Sequence, residues 1–137
     1  MGSRVGPHQS PLAAIAFAAL LAGGLVGCED TAEPSGVLVR LVNASIVTMT
    51  RATLYTSEGP VSFQDLEAGA ASPFISVSVA YRFATTEVVA ATDTFRLQVI
   101  DFVGETPLEP GLYSYVLDVI DLGTPNASLT QEFRRDR

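Results

Sequence analysis

Residue types that carry catalytic chemistry are scarce in this chain of 137 residues. It contains no lysine or tryptophan, one histidine, His8, and one cysteine, Cys28. A single cysteine cannot form a disulfide within the chain, so an exported domain of this sequence depends on its apolar core for stability. A serine or cysteine nucleophile needs a base beside it, and the only imidazole lies close to the N-terminus. These shortages predict a protein that is not an enzyme.

Basic charge is also scarce, and it is unevenly placed. Arg4 is the only charged side chain before Cys28, whereas 15 acids and seven arginines lie from Cys28 onward and give that part a net charge of −8. Binding of nucleic acid needs a basic stripe, so no nucleic-acid partner is expected. A start without acids, joined to an acidic remainder, indicates a targeting segment followed by a functional one.

Residues 1–27 have the pattern of a secretory signal peptide. Arg4 is followed by an uncharged, apolar run over 11–27 that ends in small residues, and this order is typical of a signal that is removed on export. The run is about 17 residues long, whereas a membrane-spanning helix needs about 20. The alternative interpretation is an uncleaved membrane helix with an incidental cysteine near its end.

The run ends in Leu25-Val26-Gly27-Cys28, which resembles the lipobox of bacterial lipoproteins. The resemblance implies that the signal peptidase recognises Leu25, Val26 and Gly27, and that lipid, with palmitate among its chains, is attached to Cys28. Two or three acyl chains anchor a protein stably, because each buried methylene contributes about 0.8 kcal/mol. In enteric-type sorting, an Asp directly after the lipidated cysteine favours retention in the inner membrane, and this chain has Glu29 at that position. The expected location is therefore the cell envelope, on the outer membrane if the cell has one.

The part from Cys28 onward is long enough for one domain. Residues 28–36 are polar, contain Pro34 and Gly36 and lack an apolar period. They are predicted to form a flexible tether after the lipidated cysteine. Residues 37–134 are predicted to form the single folded domain.

From Val37 onward the apolar residues follow the period of β-strands. Strands are predicted at 37–43, 47–56, 61–63, 74–83, 95–99, 112–120 and 128–133, with turns at 58–60, 90–93 and 123–126. About seven short strands separated by frequent turns predict an all-β domain. The expected fold is a single β-sandwich of immunoglobulin-like or transthyretin-like type.

Several details accompany this strand prediction. The clearest alternation of apolar and polar residues runs over 74–83, and the pattern of 47–56 changes register near Arg51. Apolar parity flips at Ile100 and Phe102, which is interpreted as a bulge or a bend between sheets. The charged residues 134–137 are predicted to fray.

A glycine and a tyrosine near the end of the chain form the most specific structural motif of the domain. Leu108-x-x-Gly111-x-Tyr113 resembles the corner of immunoglobulin-like sandwiches, in which a tyrosine hydroxyl bonds to nearby backbone at the start of a late strand. Leu108, Gly111 and Tyr113 are therefore assigned a structural role. The alternative is that Tyr113 is a plain core or surface aromatic.

Three motifs together are similar to a bacterial family of exported or lipid-anchored β-sandwich domains of uncharacterised function. They are the first strand, Val39-Arg40-Leu41-Val42-Asn43-Ala44-Ser45, then Leu66-x-x-Gly69 with Ser72, and Leu108-x-x-Gly111-x-Tyr113. The similarity covers about residues 37–121, and Ile46 stands where the family commonly has proline. It implies a sandwich fold and brings no catalytic residues.

No metal or cofactor is predicted. Zinc would lack histidine and cysteine ligands, because His8 lies in the signal peptide and Cys28 is expected to carry lipid, and no Asp-x-Asp-x-Asp calcium loop is present. A calcium site built from the loop carboxylates Asp118, Asp121, Glu105 and Glu109 stays open as an alternative.

Two tripeptides fit the N-glycosylation pattern, Asn43-Ala44-Ser45 and Asn126-Ala127-Ser128. The first is predicted instead to cap backbone groups at a strand end.

The predicted function is a non-catalytic, lipid-anchored surface module that contacts an envelope or extracellular protein. The alternative is binding of a glycan or a small ligand, which would stack on exposed aromatic rings. Tyr81, Tyr113 and Tyr115 are predicted to face inward, which leaves Tyr55 and Phe63, near a turn, as the stacking candidates.

Overall fold

The computed structural model describes residues 34–137, which form eight β-strands. The strands are β1 (Val37–Asn43), β2 (Met49–Thr56), β3 (Gly59–Leu66), β4 (Ile75–Val77), β5 (Thr86–Ala90), β6 (Asp93–Leu97), β7 (Gly111–Ile120) and β8 (Ser128–Arg135). Within this range there is no helix of a length and apolarity that would let it cross a bilayer.

The strands form two four-stranded sheets, ordered β4-β1-β7-β8 and β3-β2-β5-β6. Their inner faces share one core, so the all-β sandwich predicted from the sequence is confirmed, with eight strands. The β1 and β7 strands run parallel, and the other pairs are antiparallel. In an immunoglobulin sandwich the first two strands share a sheet, whereas here β1 and β2 lie in opposite sheets.

The core is formed by every second residue of the central strands. In β1 the side chains of Val37, Val39 and Leu41 are buried, as the period of a half-buried strand requires. The inner face of β7 adds Tyr113, Tyr115, Leu117 and Val119, and the opposite sheet adds Met49, Ala52, Leu54, Val88 and Ala90. All these side chains lie between residues 37 and 119.

The sandwich has two distinct ends. At the Val37 end lie the start of β1, the β2–β3 turn at Ser57 and Glu58, the starts of β5 and β7, and the end of β6. At the Asn43 end lie the end of β1, the start of β2, the end of β3 and the β7–β8 turn. The side chain of Asn43 bonds to Leu66 of the opposite sheet, which places these strand ends together.

The register change predicted near Arg51 is confirmed. Pairing between β2 and β5 shifts between Met49 and Arg51, and Thr50 is left out of the ladder, its hydroxyl donating to the carbonyl oxygen of Val89 at 3.1 Å. One extra residue in one strand is the geometry of a β-bulge.

The prediction of a strand over 74–83 is wrong beyond Val77. Only Ile75–Val77 pair with β1, and Ser78 donates its backbone N–H to the Glu58 carboxylate at 2.7 Å instead of to a strand. Because the Glu58 side chain accepts this backbone N–H in place of a neighbouring strand, the chain leaves the sheet after Val77. Its alternating apolar residues then line a cleft at the Val37 end.

Two further segments differ from the sequence prediction. Strand β5, Thr86–Ala90, was not predicted, although four of the five residues from Thr85 to Val89 are β-branched, which is a strand signal. Residues 98–110 form the loop that leads from β6 in one sheet to β7 in the other, so the predicted strand at 95–99 ends at Leu97. The parity flip at Ile100 and Phe102 therefore marks a connection between the sheets, one of the two predicted alternatives, and is not a bulge.

The predicted fraying of 134–137 is also wrong in part. Strand β8 continues to Arg135, and the backbone N–H of Asp136 donates to the carbonyl oxygen of Leu112 at 2.8 Å.

Candidate functional site

An apolar cleft opens at the Val37 end, between the two sheets. It has a volume of about 290 Å³ and is lined by side chains from both sheets and from two loops. Val39 and Tyr115 come from one sheet, Leu54 and Tyr55 from the other, and the segments 79–85 and Phe102 close its sides. The volume lies near the lower limit of small-ligand pockets, and apolar, aromatic lining is typical of them.

The segment that borders the cleft, residues 78–84, is held by its backbone at several points. The Ala80 carbonyl oxygen accepts the N–H of Leu108 at 2.8 Å, and the Tyr81 carbonyl oxygen accepts the hydroxyl of Tyr115 at 2.5 Å. The side-chain amide of Gln131 bonds to both the N–H and the carbonyl oxygen of Ala84, at 3.1 Å each. The cleft wall is therefore preorganised by groups from the loop, the core and β8.

Glu58 fixes the start of the same segment. Its carboxylate accepts the N–H and the hydroxyl of Ser78 and the hydroxyl of Ser57. These donors, with the Ser78 hydroxyl contributing most, lower the pKa of Glu58 to about 2. Glu58 therefore stays ionised over the physiological range and joins the β2–β3 turn to the cleft wall.

The mouth of the cleft carries exposed apolar side chains. Phe83 is 51% exposed, Phe102 is 42% exposed and Val79 is 40% exposed, and in the same loop as Phe102 the side chains of Ile100 and Val103 are almost fully exposed. We call residues 79–83 and 100–103 the rim. Among the described residues, five of the seven exposed large hydrophobic side chains lie in the rim.

The polar chemistry of the cleft is that of hydroxyl groups. Burial raises the pKa of Tyr115 well above its usual range, so this hydroxyl stays protonated while it donates to Tyr81. The ring of Tyr81 packs against that of Phe102, with centroids 4.9 Å apart and planes tilted by 35°. The arrangement offers flat apolar surfaces and hydrogen-bonding groups.

The tyrosine motif at the start of β7 has a defined geometry. The hydroxyl of Tyr113 donates to the backbone carbonyl oxygen of Glu109 at 2.8 Å, four residues upstream. A Cβ atom on Gly111 would lie 3.1–3.2 Å from the Tyr113 ring, closer than ordinary van der Waals contact. Leu108 packs against the core. The three motif residues thus form one packed turn beside the cleft.

At the Asn43 end the polar groups are buried and fully paired. The Asn43 amide nitrogen donates to the carbonyl oxygens of Val47 and Leu66 at 2.8 Å each, and its amide oxygen accepts the N–H and the hydroxyl of Ser45. Ser72 similarly bonds to Leu41 through its backbone N–H and its hydroxyl. The first glycosylation-like tripeptide is therefore a buried structural network, in agreement with the capping interpretation.

The four carboxylates considered for calcium do not come together. Asp118 and Asp121 lie toward the Asn43 end of β7, whereas Glu105 and Glu109 lie in the loop at the Val37 end. Over residues 34–137, no group of three or more potential ligands that could hold a metal ion is found.

The remaining predicted site residues fall in different places. Leu25, Val26, Gly27 and Cys28 lie outside the described residues. Of the two stacking candidates, Tyr55 lines the cleft, and Phe63 is half-buried against the core.

Sequence reasoning did not find the cleft, because its lining comes from five separate stretches of the chain. The exposed Ile100 and Phe102 were visible as a break in the strand pattern. That break was the one available signal.

No protein family matches the chain, and no curated protein matches it either.

Proposed function

We propose that the chain is a lipid-anchored, non-catalytic binding domain of the cell envelope, and that the cleft with its rim is the contact site. The lipobox-like Leu25-Val26-Gly27-Cys28 supports the anchor. A Cys28→Ser variant is expected to lose incorporation of a palmitate analogue in cells. Unchanged labelling of that variant would refute the lipoprotein proposal. In an envelope with two membranes, Glu29 favours the outer one.

The concentration of exposed apolar groups at one end carries the proposal of a contact site. Apolar side chains scattered singly over a surface need no explanation, whereas a contiguous patch marks a contact surface. Here Val79 and Phe83 on one side and Phe102 on the other border a preformed cleft. The backbone hydrogen bonds at residues 78–84 hold this wall in place, so Val79 and Phe83 cannot easily turn inward.

The chemistry of the cleft supports binding over catalysis. Its lining is apolar apart from hydroxyl and backbone groups, and the Tyr115 hydroxyl is both protonated and already engaged. Acid–base catalysis needs a group whose pKa lies near the working pH.

Two kinds of partner agree with this site. The first is an apolar side chain of an envelope or extracellular protein, which would enter the mouth between Phe83 and Phe102. The second is a glycan or small apolar molecule stacked on Tyr81 or Phe83. A photoreactive residue at position 83 in living cells would crosslink to a protein partner, whereas the same residue at position 46, the control, would not. A glycan array tests for sugars.

The contact site itself is tested with a dye that fluoresces in apolar surroundings, anilinonaphthalenesulfonate. The mature chain, 28–137, contains every described residue and is used with Cys28→Ser to prevent dimerisation. We expect this protein to bind the dye and Phe83→Ser to reduce binding severalfold, while Ile46→Ser at the opposite end leaves it unchanged. Equal binding by both variants would rule out the cleft as the contact site.

A further inference from the structure

The cleft opens at the end of the domain where the chain enters it from Cys28. Strand β1 begins at Val37, and the carbonyl oxygen of Gly36 accepts the N–H of Gly111 at 3.0 Å. The nine residues 28–36 span at most about 30–32 Å when fully extended. The Val37 end therefore cannot move far from a membrane that holds the lipid on Cys28.

The rim has the composition of a surface that enters the membrane interface. Phe83, Ile100, Phe102 and Val103 project from two loops beside the cleft. Aromatic and aliphatic side chains of this kind bury at the boundary between headgroups and acyl chains, to a depth of about 5–10 Å. By contrast, the exposed apolar side chains at the Asn43 end lie apart in the sequence, Ile46 in the β1–β2 connection and Ile120 at the end of β7.

The charges at this end favour an apolar contact over an electrostatic one. The rim contains one arginine, Arg82, and one acid, Asp101, so it has no net charge. The same end carries the acids Glu58, Glu105 and Glu109. The preceding residues add Glu29, Asp30 and Glu33, and anionic headgroups repel all of these carboxylates. Attraction to a bilayer at this end must therefore come from burial of the apolar rim.

We propose that the Val37 end docks onto the bilayer that holds the Cys28 lipid, with Phe83, Ile100, Phe102 and Val103 buried at the interface. This inference rests on the proposed lipid anchor and names the bilayer surface as the partner of the rim. A short flexible link raises the effective concentration of the rim near the membrane to the millimolar range. Weak intrinsic affinity is then enough to keep the domain docked.

The absence of tryptophan from the chain allows a direct test. The mature chain, residues 28–137, is coupled through its only thiol, Cys28, to a maleimide-bearing phospholipid in phosphatidylcholine vesicles with brominated acyl chains. Phe83→Trp places a single reporter in the rim, and Ile46→Trp places one at an exposed position of the opposite end. Circular dichroism checks that both variants are folded.

On coupling to the vesicles, we expect the emission of the Phe83→Trp variant to shift to the blue. The brominated chains should quench it at least about threefold more than the emission of the Ile46→Trp variant. Raising the salt concentration should leave this difference unchanged, because the contact is apolar. Equal quenching of the two variants would overturn the docking proposal. If the dye still bound to the cleft in that case, the contact site would stand with a protein or small-molecule partner. Loss of both the quenching difference and the dye binding would refute both proposals.

Discussion

At the Asn43 end of the sandwich, side chains of Asn43 and Ser45 are buried and use all their hydrogen-bonding groups, whereas at the Val37 end Phe83, Ile100 and Val103 lie in solvent. Burying a polar group is tolerated only when it is paired, and exposing a patch of large apolar groups is unusual without a partner. The first end therefore stabilises the fold, and the second is available for contact. Substitutions at the two ends should accordingly separate stability from binding.

The largest expected effect is at Asn43. Asn43→Ala removes four hydrogen bonds. It takes away the side-chain partners of the buried Leu66 carbonyl oxygen and Ser45 N–H, so we expect the free energy of unfolding to fall by about 3–4 kcal/mol. Urea denaturation of the mature chain measures this loss. Asn126→Ala, in the matching but exposed tripeptide, should change stability by less than about 0.5 kcal/mol. A similar, small effect of both variants would contradict the structural role of Asn43.

The turn beside the cleft should give the next largest effect. Gly111→Ala introduces a Cβ atom against the Tyr113 ring, and such overpacking costs about 1–3 kcal/mol. Gly36→Ala is the control, because nothing lies within 4 Å of its added Cβ, and it should be neutral. If Gly111→Ala proved as harmless as the control in thermal unfolding, the tight packing of this turn would be wrong.

Asp136 should make stability depend on pH at the Val37 end. Burial raises its pKa, but the hydrogen bond from Ser114 and the charge of Arg40, 3.0 Å away, outweigh burial and leave the pKa below its usual value. A folded-state pKa below the unfolded one stabilises the fold above the unfolded pKa of about 3.9. This stabilisation is lost as the pH falls through the lowered pKa.

We therefore expect Asp136→Asn to cost about 1 kcal/mol at pH 7, with a smaller difference from the unsubstituted protein in strong acid. Urea midpoints measured from neutral pH to below pH 4 provide the comparison. A constant difference across that range would exclude the ionised Asp136 as its source.

The smallest stability effect is expected in the rim. Phe83→Ser and Ile100→Ser remove side chains that are mostly in solvent, so the free energy of unfolding should change by less than about 0.5 kcal/mol. The same variants should nevertheless reduce dye binding, as measured by fluorescence titration. A large loss of stability would mean that the rim belongs to the core.

The sequence predicted those parts of the fold that depend on local pattern. Strand β1 lies at 37–43 as predicted, although its alternating burial was hidden in a nearly continuous apolar run. The register change at Arg51 is a real bulge, because a strand with one buried face imposes a period of two. Residues 78–83 keep the same period without being a strand. There the backbone bonds to Glu58, Leu108 and Tyr115, which are distant in the sequence.

The candidate site was beyond prediction for the same reason. Its wall depends on long-range bonds to side chains such as Gln131, more than 40 residues away, and no single stretch of the chain contains the cleft. Tyr115 was correctly predicted to face inward, but its role in holding Tyr81 is visible only in three dimensions.

Hydrogen exchange on the lipidated protein in its native membranes, compared with the unanchored mature chain, tests most directly the claim that the Val37 end makes the contact. We predict slower exchange of the amides in 79–83 and 98–104, with no change in the turns at 44–47 and 121–127. Protection of the Asn43-end turns, or equal exchange of both ends in the two samples, would contradict the account.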